Sequence, residues 1–366
     1  MKKVRVMLLL IATTLVLFGC NKSTPEETQA LTESEAPETE APTESETPIE
    51  TESETEQGLR EGQMYSYLTG LPVDETIGLH RPIAVMLNNI KIAVPQAGIA
   101  NADIVYEAPV EGGITRLMGI FEDYQDLEKI GSVRSSREYY IFYAREFDAI
   151  YVHYGQAIYA VPYLELADTH NLSGLSGIGS QIFYRTSDRV APHNAYTSAE
   201  GINKGIELEG YSTDYADDYN GHYQFAIEEM SVVLDGITAN VVTPGYAVNS
   251  PWFEYKDGQY YRYQYGEEQI DELTDEQLSY TNIILQYSSY TNHDANGYLN
   301  IDTTSGGSGK YITGGKAIDI TWSKETEWGV TRYYDSNNEE ITLNPGKTWV
   351  CIILNSSVDN VRITEE

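Results

Sequence analysis

A long tract without a single aromatic residue limits where this chain can form a hydrophobic core. Residues 21–63 consist almost entirely of Glu, Thr, Ser, Pro and Ala. Such a tract cannot bury enough apolar surface to offset the conformational entropy that is lost on ordering. We therefore expect a disordered stalk over residues 21–63, followed by a folded part of roughly 300 residues that can hold two ordinary hydrophobic cores.

The residues before this tract have the layout of a lipoprotein signal peptide. Three basic residues precede an uncharged apolar run over residues 6–18, which is followed by Gly19 and Cys20. The run is shorter than the ~20 apolar residues of a membrane-spanning helix. We expect residues 1–20 to be a signal peptide, with lipid attached to Cys20 and the mature chain tethered to the extracellular side of the cell membrane.

Cysteine content and charge exclude some classes of function. Once Cys20 carries lipid, Cys351 has no partner for an internal disulfide, and its apolar neighbours predict a small buried residue. The formal net charge of the chain is -33 at pH 7. So negative a protein repels phosphodiester backbones, and we expect no nucleic-acid partner.

The pattern of the folded part changes near residue 223 and indicates two domains. Before that point, runs typical of buried strands (82–87 and 149–153) alternate with helical spacing (135–147 and 199–209). After it, short β-branched or aromatic runs predict strands at residues 232–234, 252–255, 260–263, 283–285, 317–322 and 349–354. We predict an α+β fold, with a mixed α/β domain over residues 64–222 and a smaller, mainly antiparallel β domain over residues 223–366.

Several motifs of the folded part resemble those of the YerB-type lipoprotein family. The first group is RPIAVMLNN (81–89), ADIVYE (102–107), EGGITR (111–116), VRSSR (133–137) and PHN (192–194). The second group is GSG (307–309), GGK (314–316), TW (321–322) and LNPGKTW (343–349). The resemblance covers nearly all of residues 68–355 and implies a lipid-anchored protein with the same two-part organisation. The family is a domain of unknown function, so the resemblance implies no substrate.

Arginine is concentrated in the first domain of this otherwise acidic chain. The planar guanidinium fork suits carboxylate or phosphate, and Ser135, near a predicted helix start, would add a capping hydroxyl and free N–H groups. We predict an anion-recognising pocket at the C-terminal ends of the strands. Its candidate ligand-binding residues are Arg116, Arg134, Ser135, Arg137, His153, Arg185, Arg189, His193 and Asn194. The alternative is that the arginines pair internally with Asp103, Glu107, Glu111 and Glu138.

A catalytic interpretation stays open beside the binding one. It would use His153 or His193 as general base, with Asp103, Glu107 or Glu111 as the orienting group or acid. No Gly-x-Ser-x-Gly motif supplies a nucleophile. We therefore prefer a cell-surface binding protein for an anionic small molecule, a cell-wall fragment or an envelope protein. The alternative is an envelope hydrolase or transferase.

Metal and phosphate-loop motifs are incomplete in this sequence, so we predict no metal and no cofactor. The His-Glu-x-x-His motif is absent. Residues 294–302 carry oxygen ligands at alternate positions but lack the closing Glu of an EF-hand, which leaves calcium and an ordinary Asx turn as competing interpretations. The GGSGKY run at 306–311 lacks the Ser or Thr that follows the phosphate-loop Lys, and it predicts a hairpin.

The chain contains 30 tyrosines. An apolar ring with a polar tip suits sugar faces and protein interfaces. The competing explanation is that tyrosine simply occupies strand positions of a β-rich domain, as its propensity allows.

Overall fold

A computed structural model describes residues 58–227 and 231–366 of this protein. The predictions for the signal peptide, Cys20 and most of the stalk lie outside these residues. No helix in the described ranges is long and apolar enough to cross a membrane.

The N-terminal part of the described chain contains ten strands and the α-helices. The strands are β1 (Gln63–Tyr65), β2 (Pro72–Asp74), β3 (Ile83–Asn88), β4 (Ile104–Pro109), β5 (Thr115–Phe121), β6 (Ile130–Gly131), β7 (Ile150–His153), β8 (Asn171–Ser173), β9 (Phe183–Arg185) and β10 (Ala195–Thr197). The helices are α1 (Glu75–Gly78), α2 (Glu138–Arg145), α3 (Val161–Leu164), α4 (Gly179–Ile182) and α5 (Ala199–Glu209).

The C-terminal part is built from strands joined by turns and short 3-10 segments. Its strands are β11 (Gln224–Phe225), β12 (Ile237–Thr238), β13 (Val241–Thr243), β14 (Trp252–Lys256), β15 (Gln259–Gln264), β16 (Glu267–Glu268), β17 (Ser279–Tyr280), β18 (Asn282–Ser288), β19 (Tyr290–Asn292), β20 (Leu299–Ile301), β21 (Gly307–Thr313), β22 (Lys316–Ser323), β23 (Arg332–Tyr334), β24 (Thr342–Leu343), β25 (Thr348–Leu354) and β26 (Arg362–Thr364).

One 11-stranded sheet runs through both parts of the chain. Its order is β12-β22-β21-β18-β25-β4-β5-β3-β7-β8, and β23 pairs with β22. The two parts meet where β25 pairs in parallel with β4, with Thr348 opposite Ile104. The described residues of both parts accordingly form one compact unit. A second sheet, in the order β16-β15-β14-β13-β26 with β17 on β15, belongs to the C-terminal part.

The central strands of the main sheet are buried on both faces, which explains their continuous apolar runs. Side chains alternate along β3: Ile83, Val85 and Leu87 join the core that contains α5 and the second sheet, whereas Ala84 and Met86 join the core around α2. Trp349 of β25 is fully buried between the two sheets, with its ring edge-on to Phe253 at 5.8 Å.

The predicted fold class is confirmed: helices and strands mix in the N-terminal part, and the C-terminal part is mainly β. The helix over residues 199–209 is confirmed, with the Ser198 side chain accepting the backbone N–H of Gly201 as its N-cap. The run at residues 306–311 belongs to a hairpin, as predicted, but it lies mostly in the first strand, β21, which pairs antiparallel with β22 across a turn at residues 314–315. Cys351 is a free, buried cysteine, as predicted.

Two local predictions were wrong. Residues 232–234 form no strand, and Val233 is 89% exposed. The backbone N–H of Val232 donates to the side-chain oxygen of Asn344, and the side-chain nitrogen of Asn344 donates to the carbonyl of Val232. The helix predicted over residues 135–147 is shorter, because its N-cap is Arg137 in an extended conformation. Ser135 is therefore no helix cap; its hydroxyl donates to the carbonyl of Tyr154 instead, at 3.4 Å.

Candidate functional site

The candidate site begins where two central strands end. β3 and β7 are parallel, so Asn88 and His153 lie at the same edge of the main sheet. β5 is antiparallel to β3 and starts at this edge, with Arg116 directly opposite Asn88. The segment that carries Arg134 and Ser135 is joined to the same edge, because the Arg134 N–H donates to Met86 O and the Tyr154 N–H donates to Arg134 O.

Arg116 is the innermost cation of this edge and has no acidic partner among the described residues. Its side chain is buried, with 5% of the residue exposed, and donates to the Ser135 carbonyl at 2.5 Å. Burial, together with the charges of Arg137 and Arg134, lowers the pKa of Arg116 to about 10. Burial is the largest cause of this shift, and the two neighbouring arginines add to it because like charges disfavour the protonated guanidinium.

Arg134 lies between Arg116 and the protein surface. Burial, with the charges of Arg137 and Arg185, lowers its pKa. Its Nε is buried and has no hydrogen-bond partner, and its only side-chain hydrogen bond within the described ranges is a long one to the carbonyl of Pro192, 3.5 Å away. A buried guanidinium N–H without an acceptor is unfavourable for the folded state.

Arg185, His193 and Asn194 form the outer part of the cluster. The Arg185 guanidinium is exposed, donates to Oδ1 of Asn194 at 2.8 Å, and lies 4.6 Å from the centre of the Tyr154 ring. The side-chain amide of Asn88 donates to Nδ1 of His193 at 2.9 Å. Burial and the charge of Arg134 lower the pKa of His193, so the imidazole is neutral at pH 7.

Arg137 has one of the acidic partners named in the internal-pairing alternative, whereas Arg145 and Arg189 pair with other carboxylates. Arg137 makes a two-point contact with Glu111, with Nε to Oε1 at 2.7 Å and Nη2 to Oε2 at 2.5 Å. Arg189 donates to Glu272 at 3.0 Å and to two backbone carbonyls, away from the cluster. Arg145 pairs with Asp168 at 2.7 Å. The structure thus leaves Arg116, Arg134 and Arg185 as the cluster arginines without a carboxylate in the described part of the chain, and we call these three the arginine cluster.

His153 is a buried side chain of the scaffold next to the arginine cluster. Its ring nitrogens face the carbonyl of Gly155 at 2.8 Å and Oδ1 of Asn171 at 3.2 Å. Burial lowers its pKa. Neither His153 nor His193 has a carboxylate among its hydrogen-bond partners within the described residues, whereas the catalytic alternative would place one beside either histidine.

The carboxylates suggested as catalytic partners are engaged elsewhere. Asp103 accepts the backbone N–H of Glu122 at 2.8 Å, and Glu111 holds Arg137. Glu107 is fully buried, pairs with Arg262 at 2.6 Å, and accepts further hydrogen bonds from Asn89, Thr115 and Asn249. This network joins β4 to the second sheet and is a structural connection between the two parts of the chain.

Two further buried carboxylates have partners that the sequence did not indicate. Glu146 is buried with Lys324 at 2.6 Å and His222 at 3.2 Å. Glu138 pairs with His293 at 2.6 Å and not with an arginine. Each partner lies more than 70 residues away along the chain, so no spacing in the sequence could signal these pairs.

Residues 294–298 lie in the turn of the hairpin β19–β20, whose strands pair antiparallel, and residues 299–301 form β20 itself. Asp294 accepts the backbone N–H of Asn296 at 2.9 Å, the geometry of an Asx turn. Asp302 accepts from the backbone N–H groups of Thr304 and Ser305 in a second such turn. No group of three or more His, Cys, Asp or Glu side chains suited to a metal ion occurs within residues 58–227 and 231–366.

Two family models match this chain in sequence. The N-terminal domain of the protein family of unknown function DUF3048 matches residues 68–212, and the C-terminal domain of the same family matches residues 241–350. The chain therefore belongs to the DUF3048 family.

The relatives carry the same organisation. The chain is 34% identical over 292 residues to the Bacillus subtilis protein named "Putative lipoprotein YerB", which covers 78% of this chain and 85% of that protein. The crystal structure of YerB from Bacillus subtilis superposes with a TM-score of 0.72 at 30% identity, covering 82% of this chain and 100% of the solved one. The predicted resemblance to the YerB-type family is thus confirmed.

Proposed function

We propose that this protein is a lipid-anchored binding protein of the bacterial envelope that holds an anion at the arginine cluster. The anchor is Cys20 at the end of the signal-like N-terminus, and the name of the Bacillus subtilis relative, a lipoprotein, supports it. The folded part then stands on the extracellular side of the membrane, at the end of the acidic tract of residues 21–63.

The observation that supports the proposal is the unsatisfied hydrogen bonding of the Arg134 side chain. Its Nε is buried without an acceptor, and the cations nearest to it are further arginines. Like charges gathered in a half-buried place repel one another, and this arrangement is stabilised when an anion joins them. A chain with net charge -33 has ample carboxylate to neutralise these groups, yet none of the described carboxylates pairs with this cluster.

The geometry selects a class of ligand. Guanidinium forks bind planar or tetrahedral oxyanions through two N–H groups, and Arg134 and Arg185 lie on the solvent side of Arg116. The neutral His193 and the Asn194 side chain add hydrogen-bonding groups at the same place. A phosphate or carboxylate group fits this set, carried by a small molecule, a cell-wall fragment or an acidic segment of an envelope protein.

The test is calorimetric titration of the full chain with inorganic phosphate and with succinate, which measures the affinity for each anion. We expect saturable binding to the unmodified chain and at least about tenfold weaker binding to Arg134→Gln, since a charge-assisted hydrogen bond contributes about 1.5–3 kcal/mol. Arg145→Gln is the matched control, because it removes the same charge from an arginine that pairs with Asp168. Equal affinities for the two variants, or no heat with either anion, would reject the proposal.

A further inference from the structure

A cleft lies apart from the arginine cluster, at the start of α2. It has a volume of about 430 Å³ and is bounded by α2, Tyr163 of α3 and the β19–β20 hairpin. This volume lies in the range of small-molecule sites, which is about 300–1,000 Å³. The proposed anion site does not account for it.

The cleft is lined by the carboxylate of a largely buried glutamate, and only one of its two oxygens accepts a hydrogen bond from a described residue. Glu138 is 4% exposed and lines the cleft. Its Oε1 accepts the Nε2–H of His293 at 2.6 Å, while Oε2 accepts no hydrogen bond from a described residue. The His293 ring is held in place by Tyr159, which stacks on it at 4.0 Å with the planes 9° apart. Tyr159 in turn donates its hydroxyl to Asp294 at 3.1 Å.

The acidic and aromatic side chains that line the cleft indicate the chemistry of its ligand. The lining includes Glu138, Asp302 and Glu327 but no lysine or arginine. Two tyrosine rings, Tyr163 and Tyr290, line its sides, and Tyr290 is 37% exposed. A carboxylate oxygen that no described donor occupies favours a cationic N–H group, and exposed aromatic faces favour the apolar face of a sugar ring.

We propose that this cleft binds a sugar unit with a free amine, a hexosamine. The ammonium group occupies the place next to Glu138 Oε2, and the ring packs on Tyr290 or Tyr163. Ser289 and Thr304, which also line the cleft, donate their hydroxyls to Asp302 and can still accept hydrogen bonds from the sugar hydroxyls. The proposal is independent of the anion site, because none of the arginine cluster residues lines this cleft.

The test is titration of the full chain with D-glucosamine, N-acetyl-D-glucosamine and D-glucose, followed by calorimetry or ligand-observed NMR. We expect glucosamine to bind at least about tenfold more tightly than the two sugars that lack the charge. Glu138→Gln keeps the shape of the side chain and is expected to abolish this preference. Glu267→Gln is the control, since Glu267 lies exposed on β16 of the second sheet.

Tyr290→Ala provides a second variant that leaves the core intact, because this ring is partly exposed. It should weaken binding of all three sugars, since it removes part of the wall on which the ring packs. The proposal is overturned if no sugar gives saturable binding at millimolar concentration, if the three sugars bind alike, or if glucosamine binds Glu138→Gln and Tyr290→Ala as tightly as the unmodified chain.

Discussion

Buried ionisable side chains in this protein divide into those with partners and those without. Glu107 and Glu146 each have a cation within 2.6 Å and several neutral donors. Arg134 and Glu122 instead each keep a buried atom, Nε and Oε1 respectively, without a hydrogen-bond partner. Unpaired buried groups are unfavourable for folding and are concentrated at functional sites, so they are the residues whose behaviour is most informative to measure.

Glu122 should make the stability of the fold depend on pH. Burial, with the charges of Asp103 and Asp123, raises its pKa to about 7 from an ordinary value of 4.5. The native state therefore holds this proton more tightly than the unfolded state. The resulting stabilisation is complete below pH 4.5 and is lost as the pH rises through 7, by ~3 kcal/mol at most.

Urea unfolding between pH 4.5 and 8 of the unmodified chain and of Glu122→Gln checks this expectation. The neutral amide has no proton to lose, so the difference in unfolding free energy between the two proteins should shift in favour of the variant as the pH rises. A difference that stays constant over this range would contradict the raised pKa.

At the scale of elements, local signals predicted some features to the residue and missed others. α5 was predictable because Ser198 supplies an N-cap and Ile202 and Ile206 recur at helical spacing on the buried face. α2 was predicted three residues too early, since Ser136 pairs as a bridge with Gln156 and keeps the chain extended up to Arg137. The β-branched run at 232–234 looks like a strand, but tertiary structure offers it no neighbouring strand.

The candidate site was only partly predictable for the same reason. Residue type alone selected arginine as the anion-binding group, and the ends of β3 and β7 were visible as apolar runs. Which arginines were already paired depended on Glu111, Glu272 and Asp168, whose positions are fixed by the fold. Likewise, the pairing of Glu138 with His293 joins residues 155 positions apart.

The segment that carries Arg134 depends on a glycine at its start. Gly131 has φ +146°, and a Cβ there would lie 2.8 Å from the backbone N of Val133 and 2.9 Å from the Tyr196 ring. We expect Gly131→Ala to displace the segment that follows it, to lower the unfolding free energy by about 1–3 kcal/mol, and to weaken phosphate binding at the arginine cluster.

Thermal unfolding and phosphate titration of Gly131→Ala measure both effects. Gly177→Ala is the matched control, because a Cβ at Gly177 meets nothing within 4 Å and its backbone needs no left-handed conformation. If Gly131→Ala binds phosphate as the control does, the segment does not position Arg134 in the way proposed.

At the scale of the whole molecule, the main sheet makes the two family domains depend on each other. β4 lies between β5 of its own part and β25 of the other, so separation would expose a long, apolar strand edge on each side. The buried Glu107–Arg262 pair adds a second connection, from β4 to β15. Because both contacts are extensive and buried, neither part should keep its structure after the other unfolds.

We therefore expect residues 58–366 to unfold as one cooperative unit. The 4 tryptophans (Trp252, Trp322, Trp328 and Trp349) all lie in the C-terminal part, whereas the described α-helices lie in the N-terminal part. Tryptophan fluorescence and helical circular dichroism thus report on different parts of one molecule, and their urea midpoints should coincide. Arg262→Gln should lower both midpoints together, because a broken buried pair costs about 3–5 kcal/mol. Two separate midpoints, or a shift confined to the fluorescence transition, would show that the continuous sheet does not couple the two parts.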